Sequence, residues 1–290
     1  MVIEFSPLHP LFAAEVTGID LRKPPLTEEI KAIDSAMTKY GVLVFRNQVI
    51  NADQHTTFTK NFGPLDPGLT LAISRKPRLE NTDVIDLANF DENGKVLPTD
   101  NARTVSLIAN QLWHSDSSFK NPPAKYSVLC GIDLPSEGGE TEFADERAAY
   151  DALTDKMKVR LAGLVGEHWA FHSRNLLGGA GFSQEGMERL PPVKWPLVHT
   201  IPESGRKSLF IGVHIHEIEG MGTAEARMLV ADLIEHATQR EFVYRHEWQN
   251  HDLIMWDNRC TMHRGRPYDL TKRRELRRCS TEVVFEKPTG

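Results

Sequence analysis

Several things are scarce in this sequence, and each scarcity removes a class of protein. Three cysteines in 290 residues, Cys130, Cys260 and Cys279, are odd in number and lack C-x-x-C spacing, so neither a disulfide framework nor a thiolate zinc site is expected. No apolar run approaches the roughly 20 residues that a membrane helix needs. Residues 1–10 lack the basic and then apolar segments of a secretory signal, and a cytoplasmic protein with no membrane partner is expected. Basic residues are not in excess: 34 Lys and Arg against 40 Asp and Glu leave a net charge of −6, which argues against a general nucleic-acid binder. Internal repeats, low-complexity tracts and linker-like stretches are missing too, so residues 1–290 read as one domain.

What remains is an ordinary globular composition, 40% apolar and 26% charged, in a chain long enough to bury a substantial core. The spacing of Ile30, Ile33, Met37 and Tyr40 predicts a helix over 27–40, with Thr27 as its cap and Gly41 as its stop. Val42-Leu43-Val44-Phe45 reads as a buried strand, and a second helix is expected over 52–62. Residues 67–110 show poor periodicity and read as a long surface segment, either a lid or a mobile insertion. Strands are expected around 126–130, 141–143, 209–214, 242–248, 253–256 and 273–285, and helices over 145–164 and 223–238, the latter capped by Thr223. Short strands with helices between them suggest an α+β, mainly β, jelly-roll-like domain with flanking and inserted helices.

The chemistry concentrates in Trp113-His114-Ser115-Asp116-Ser117. On an extended chain alternate side chains share a face, so His114 and Asp116 can grip one ion. A third ligand must come from elsewhere, and His263, in Trp256-Asp257-Asn258-Arg259-Cys260-Thr261-Met262-His263-Arg264, is the candidate. Two imidazoles and one carboxylate leave positions open for substrate and dioxygen, the arrangement of non-haem Fe(II) oxygenases. H-x-D alone is a weak signal among twelve histidines. Arginines beyond His263 strengthen it: on a strand over 273–285, Arg274, Leu276 and Arg278 face one way, while Arg273 and Arg277 face the other. Guanidiniums turned toward a buried metal are costly unless anions meet them, and arginine suits bidentate capture of a carboxylate.

Longer stretches carry a family resemblance. Residues 7–14, Asn61-Phe62-Gly63-Pro64-Leu65, the segment 110–119 around the H-x-D, the segment 235–246 and Arg273-Arg274-Glu275-Leu276-Arg277-Arg278 make the chain similar to the taurine/2,4-dichlorophenoxyacetate dioxygenase (TauD/TfdA) family, over nearly its whole length. The resemblance implies a double-stranded β-helix, and Fe(II), 2-oxoglutarate and O2 as cofactor and cosubstrates, with ascorbate as an aid in vitro. It implies His114, Asp116 and His263 as iron ligands, Thr141 and Arg274 on the distal carboxylate of 2-oxoglutarate, and Arg278 on the acidic group of the primary substrate. Ser117, Lys95 and His214 match positions that line the substrate site. The reaction implied is hydroxylation of an aryloxyalkanoate such as 2,4-dichlorophenoxyacetate, giving a phenol, glyoxylate, succinate and CO2. Taurine or another small sulfonate or carboxylate is the alternative anionic substrate, and a homo-oligomer is expected from relatives. One departure concerns the substrate loop, where a family lysine is replaced near Leu71; Arg103 is a possible compensation.

Two rival classes fit the residues alone. A zinc hydrolase would use the same three ligands with one bound water and a nearby general base. A non-catalytic jelly roll could bind small acids without turnover.

Overall fold

Val42–Phe45, four consecutive buried residues, is a central strand of the protein. The computed structural model describes residues 2–68, 78–178 and 184–285. Among them the largest sheet has seven strands, in the order Glu4–Pro7, Ala14–Thr17, Val42–Phe45, Leu253–Asp257, Ala124–Asp133, Glu275–Glu282 and Ile85–Ala88. Ala14–Thr17 and Val42–Phe45 run parallel, and the other neighbours are antiparallel. A smaller antiparallel sheet places Thr141–Asp145 between Val243–His246 and Thr261–Gly265.

The period of two along each strand separates two cores. On one face of the large sheet Leu43, Phe45, Val128, Leu253 and Met255 pack beneath helices Thr27–Tyr40 and Ala52–Lys60 through Ile33, Met37 and Phe58. On the other face Val42, Val44, Leu129, Ile254, Trp256 and Leu276 pack against Phe143 of the smaller sheet. Burying an aliphatic or aromatic side chain of this kind is worth about 1.5–3 kcal/mol, so the two sheets are pinned face to face by apolar contact. A third cluster gathers Leu229, Val230 and Leu233 of helix Thr223–Ala237 around Ile211, Ile215, Met262 and Trp113. The fold is mixed helix and sheet, mainly sheet. No described helix is long and apolar enough to cross a membrane.

Differences from the sequence-based expectations have local causes. Helix Thr27–Tyr40 is entered from Leu26, whose N–H donates to Glu29 Oε2 at 2.7 Å, so Thr27 is the first helical residue and not the cap. Gly222, not Thr223, caps the later helix, and Met228 on it faces solvent. The helix expected over 145–164 is two helices, Glu146–Asp151 and Asp155–Leu161, because Thr154 leaves helical geometry to cap the second through Met157 N. Residues 67–110 are not one irregular segment: Ile85–Ala88 joins the edge of the large sheet and Ala102–Ala109 is a helix. Around 209–214 only Lys207–Leu209 is a strand, and Gly212, at φ +145°, turns the chain back over the H-x-D segment.

Candidate active site

His114 leaves the extended segment at the mouth of the two sheets and is tied to His263 by a backbone bridge, His114 N to His263 O at 3.0 Å and His263 N to His114 O at 2.8 Å. The bridge brings the two rings to a centroid separation of 4.2 Å. Asp116 follows two residues on, its N–H held by Asn258 Oδ1 at 3.0 Å. His114 Nε2 lies 4.0 Å from Asp116 Oδ1 and His263 Nε2 lies 3.8 Å from Asp116 Oδ2. One ligand atom from each of the three residues therefore falls within 4.8 Å of the others, and all three side chains are buried.

The protonation states suit a metal. His114 Nδ1 sits 2.7 Å from Leu112 O, a contact that needs the proton on Nδ1 and leaves the Nε2 lone pair facing Asp116. Burial lowers both imidazoles, most strongly His263, so they are neutral and ready to ligate. Burial pushes the Asp116 carboxyl up, but Arg278, the two imidazoles and the Ser127 hydroxyl outweigh it and hold it at about 2. Ser127 Oγ donates to Asp116 Oδ2 at 2.7 Å, and Arg278 Nη1 donates to Asp116 Oδ1. Two neutral nitrogens and one carboxylate oxygen on converging vectors fit a first-row divalent ion with open coordination positions.

A cavity opens beside these residues, lined by His114, His263, Thr141, Arg274, Arg278 and Trp256, with Leu129 and Leu276 as apolar wall. Arg274 is 9% exposed and pairs with no carboxylate among the described residues. Its Nη2 donates to Gly139 O at 2.9 Å, its N–H to Asn89 Oδ1 at 2.8 Å, and its Nε is buried without a partner. Gly139, at φ +73°, is required here, since a Cβ would come within 3.1 Å of Arg274 Nε. Thr141 Oγ1 accepts from Trp248 Nε1 at 3.0 Å, which fixes the hydroxyl at the cavity wall.

The remaining sequence-predicted residues fall in different places. His214 is buried, its ring 5.9 Å edge-on to that of His114, with Nδ1 unpartnered. Ser117 is buried at φ 48°, a sparsely populated conformation of the kind that collects at functional sites, and its hydroxyl donates to Asp66 Oδ2 at 2.5 Å. Lys95 is exposed in the turn Asp91–Lys95 and does not line the cavity. Leu71 lies outside the described residues. Arg103 is spent on Phe90 O at 2.7 Å and on Asp86.

Other residues that shape the site carried no separate signal. Asn258, within the His263 segment, accepts from Asp116 N and Trp256 Nε1 and donates to Ser127 Oγ. Ser127 lay in an apolar strand and Tyr268 in a loop. Arg174 carries no motif or periodicity of its own in the sequence.

Neutral imidazoles, an ionised carboxylate and a buried arginine around one cavity define a class, a mononuclear metal site built to receive an acid. Comparison with known proteins names it. Residues 4–280 match the family described as taurine catabolism dioxygenase TauD, TfdA family. The chain is 51% identical, over 97% of its length and 98% of the relative's, to the alpha-ketoglutarate-dependent 2,4-dichlorophenoxyacetate dioxygenase of Cupriavidus pinatubonensis (strain JMP 134). It is 34% identical, over 93% of its length and 92% of the relative's, to the (S)-phenoxypropionate/alpha-ketoglutarate-dioxygenase of Sphingobium herbicidovorans. The crystal structure of AAD-2 in complex with Mn(II) and N-oxalylglycine superposes with a TM-score of 0.90 at 42% identity, covering 98% of both chains.

The chain belongs to the TauD/TfdA family. It is a dioxygenase that uses Fe(II), 2-oxoglutarate and O2, which sets aside the zinc-hydrolase and non-catalytic readings.

Proposed function

We propose that the protein hydroxylates an aryloxyalkanoate at the carbon between the ether oxygen and the carboxylate, with His114, Asp116 and His263 as the iron ligands. The observation that carries this reading is the convergence of those three donor sets on a cavity that also holds Arg274, a buried guanidinium with no carboxylate partner among the described residues. The phenoxyalkanoate-acting relatives support the substrate class, and taurine is less supported. Bound Fe(II), with 2-oxoglutarate and O2, supplies the oxidising power for C–H hydroxylation.

The chain's residues contribute position and charge. His114 and His263 ligate without giving up a proton, and Asp116 is already ionised at neutral pH. Arg274 and Thr141 take the distal carboxylate of 2-oxoglutarate against the apolar wall of Leu129 and Leu276, where a charge-assisted contact is worth more than in water. Arg278 takes the acid of the primary substrate and so presents the adjacent carbon to the metal, which is catalysis by orientation. Substrate, 2-oxoglutarate and O2 give the hydroxylated acid, succinate and CO2. For an aryloxyacetate the product is a hemiacetal, and its collapse releases a phenol and glyoxylate.

The two packed sheets act, in this reading, as the halves of a double-stranded β-helix, a proposal supported by the likeness to AAD-2, and residues 1–290 form a single catalytic domain. Ser117, His214 and Lys95 are proposed to border the primary substrate, Lys95 by reaching in from its surface turn.

The test is succinate formation by the Fe(II)-loaded protein given 2-oxoglutarate and air, with phenoxyacetates and taurine compared. Stimulation by phenoxyacetates with stoichiometric phenol release is expected. Stimulation by taurine alone, with sulfite release, would overturn the substrate assignment.

A further inference from the structure

Four arginines of the described residues are buried: Arg147, Arg174, Arg259 and Arg274. Arg147 is paired with Asp145, and Arg259 with Asp257 and Glu203. Among the described residues Arg174 and Arg274 meet no carboxylate, and the Nε of each is buried without a partner. An uncompensated guanidinium out of water is strongly unfavourable unless an anion meets it. Arg274 faces the cavity assigned to 2-oxoglutarate, which leaves Arg174 without an anion.

Arg174 belongs to the helical turn His172–Asn175, whose preceding residues Ala170 and Phe171 pack on Phe119, just beyond the H-x-D segment. The turn is fastened to the metal side of the molecule by Trp169 N donating to His214 O at 2.8 Å. His214 in turn stacks edge-on to Phe119, centroid separation 4.9 Å, and to His114. The guanidinium is held in place by neutral acceptors, Nη1 donating to Ser173 Oγ at 2.8 Å and to Ala170 O at 3.3 Å. Burial, and then the nearby Arg278 guanidinium, pull Arg174 down to about 10, with Asp116 opposing them. The Arg278 guanidinium thus repels Arg174, and the Asp116 carboxylate, a metal-ligand candidate, opposes that repulsion.

We propose that Arg174 is the second cation of the primary-substrate site: together with Arg278 it receives the carboxylate of a small monoanionic acid, and it sets the preference for that acid over a neutral analogue. The inference rests on the aryloxyalkanoate reading above. It differs from a purely structural role for Arg174 because a structural arginine would be satisfied by a carboxylate or by carbonyls on every N–H. Two guanidiniums converging on one carboxylate can meet both of its oxygens, which one alone meets only in a bidentate pose.

The experiment is calorimetric titration of phenoxyacetate and of its neutral analogue 2-phenoxyacetamide into the anaerobic protein loaded with Fe(II) and 2-oxoglutarate. Wild-type protein is expected to favour the acid strongly. Arg174→Gln should weaken phenoxyacetate about 30-fold, the loss of charge-assisted hydrogen bonds to a buried ion, with the amide and 2-oxoglutarate affinities unchanged. Should the Gln variant not fold, Arg174→Lys, which keeps the charge but loses the fork, should still show a selective loss for the acid. Unchanged acid affinity in either variant, or equal weakening of acid, amide and 2-oxoglutarate, overturns the inference alone. Wild-type protein with no preference for the acid overturns the substrate reading and this inference together.

Discussion

His114 and His263 are 149 positions apart in the chain, yet each donates its backbone N–H to the other's carbonyl, at 3.0 and 2.8 Å. The two candidate ligands are therefore set by main-chain pairing, and their rings need no packing accident to meet. Metal affinity and fold stability should separate here. His114→Ala and His263→Ala are each expected to lose more Fe(II) affinity than the roughly 10–100-fold that removal of an outer-shell partner costs, while circular dichroism melting shifts little. An anaerobic Fe(II) titration checks the first part. Near wild-type iron affinity in either variant would remove that histidine from the site.

Asn258 stands behind Asp116. Its Oδ1 accepts from Asp116 N and its Nδ2 donates to Ser127 Oγ, which in turn donates to Asp116 Oδ2. Partners of this kind orient a ligand, and their loss costs about 10–100-fold in metal affinity. Asn258→Ala should fall in that range in the same titration, with Asn258→Asp intermediate because it keeps the acceptor but loses the donor.

Arg274 and Arg278 serve different acids in the proposed scheme. Arg274→Ala should raise the 2-oxoglutarate requirement by about 10–100-fold, the equivalent of about 1.5–3 kcal/mol for a hydrogen-bonded charge. Arg278→Ala should weaken mainly the primary substrate. Separate titrations of the two compounds decide the matter, and equal effects of both changes on both titrations would refute the division.

Stability should fall in mild acid through buried imidazoles outside the proposed ligand set. His55 is completely buried, its Nε2 3.1 Å from Val128 O, and burial holds it at about 4; His168 is held at about 3. Both are bases that bind protons less readily in the folded chain than near 6.5 in the unfolded one. Above about pH 6.5 they are neutral in both states and contribute no pH dependence. As pH falls from there toward 4, the unfolded chain gains protons that the folded chain refuses, and His55 alone removes about 3 kcal/mol of stability. Urea unfolding across pH 4–7 measures the slope, and His55→Gln should lower it by about one proton.

Local sequence determined what depends on neighbours along the chain. The period of Ile30, Ile33 and Met37 set a helix, Gly41 at φ 68° ended it, and four apolar residues made the strand Val42–Phe45. His114 and Asp116 could be placed on one face because the two-residue spacing of an extended chain does not need a partner. The resemblance in the segments around 110–119 and 273–278 also sufficed for the family. What neighbours along the chain could not decide was who lacks a partner. Arg147 and Arg259 meet acids only two residues back in the chain, Asp145 and Asp257, whereas only the tertiary structure shows that Arg174 and Arg274, buried like them, meet no carboxylate among the described residues. The same holds for Asn258, whose reach to Asp116 spans 142 residues, and for Lys95, which falls on the surface. A buried charge owes its energy to what surrounds it in space, and that surrounding is assembled only when both sheets have closed on their common core.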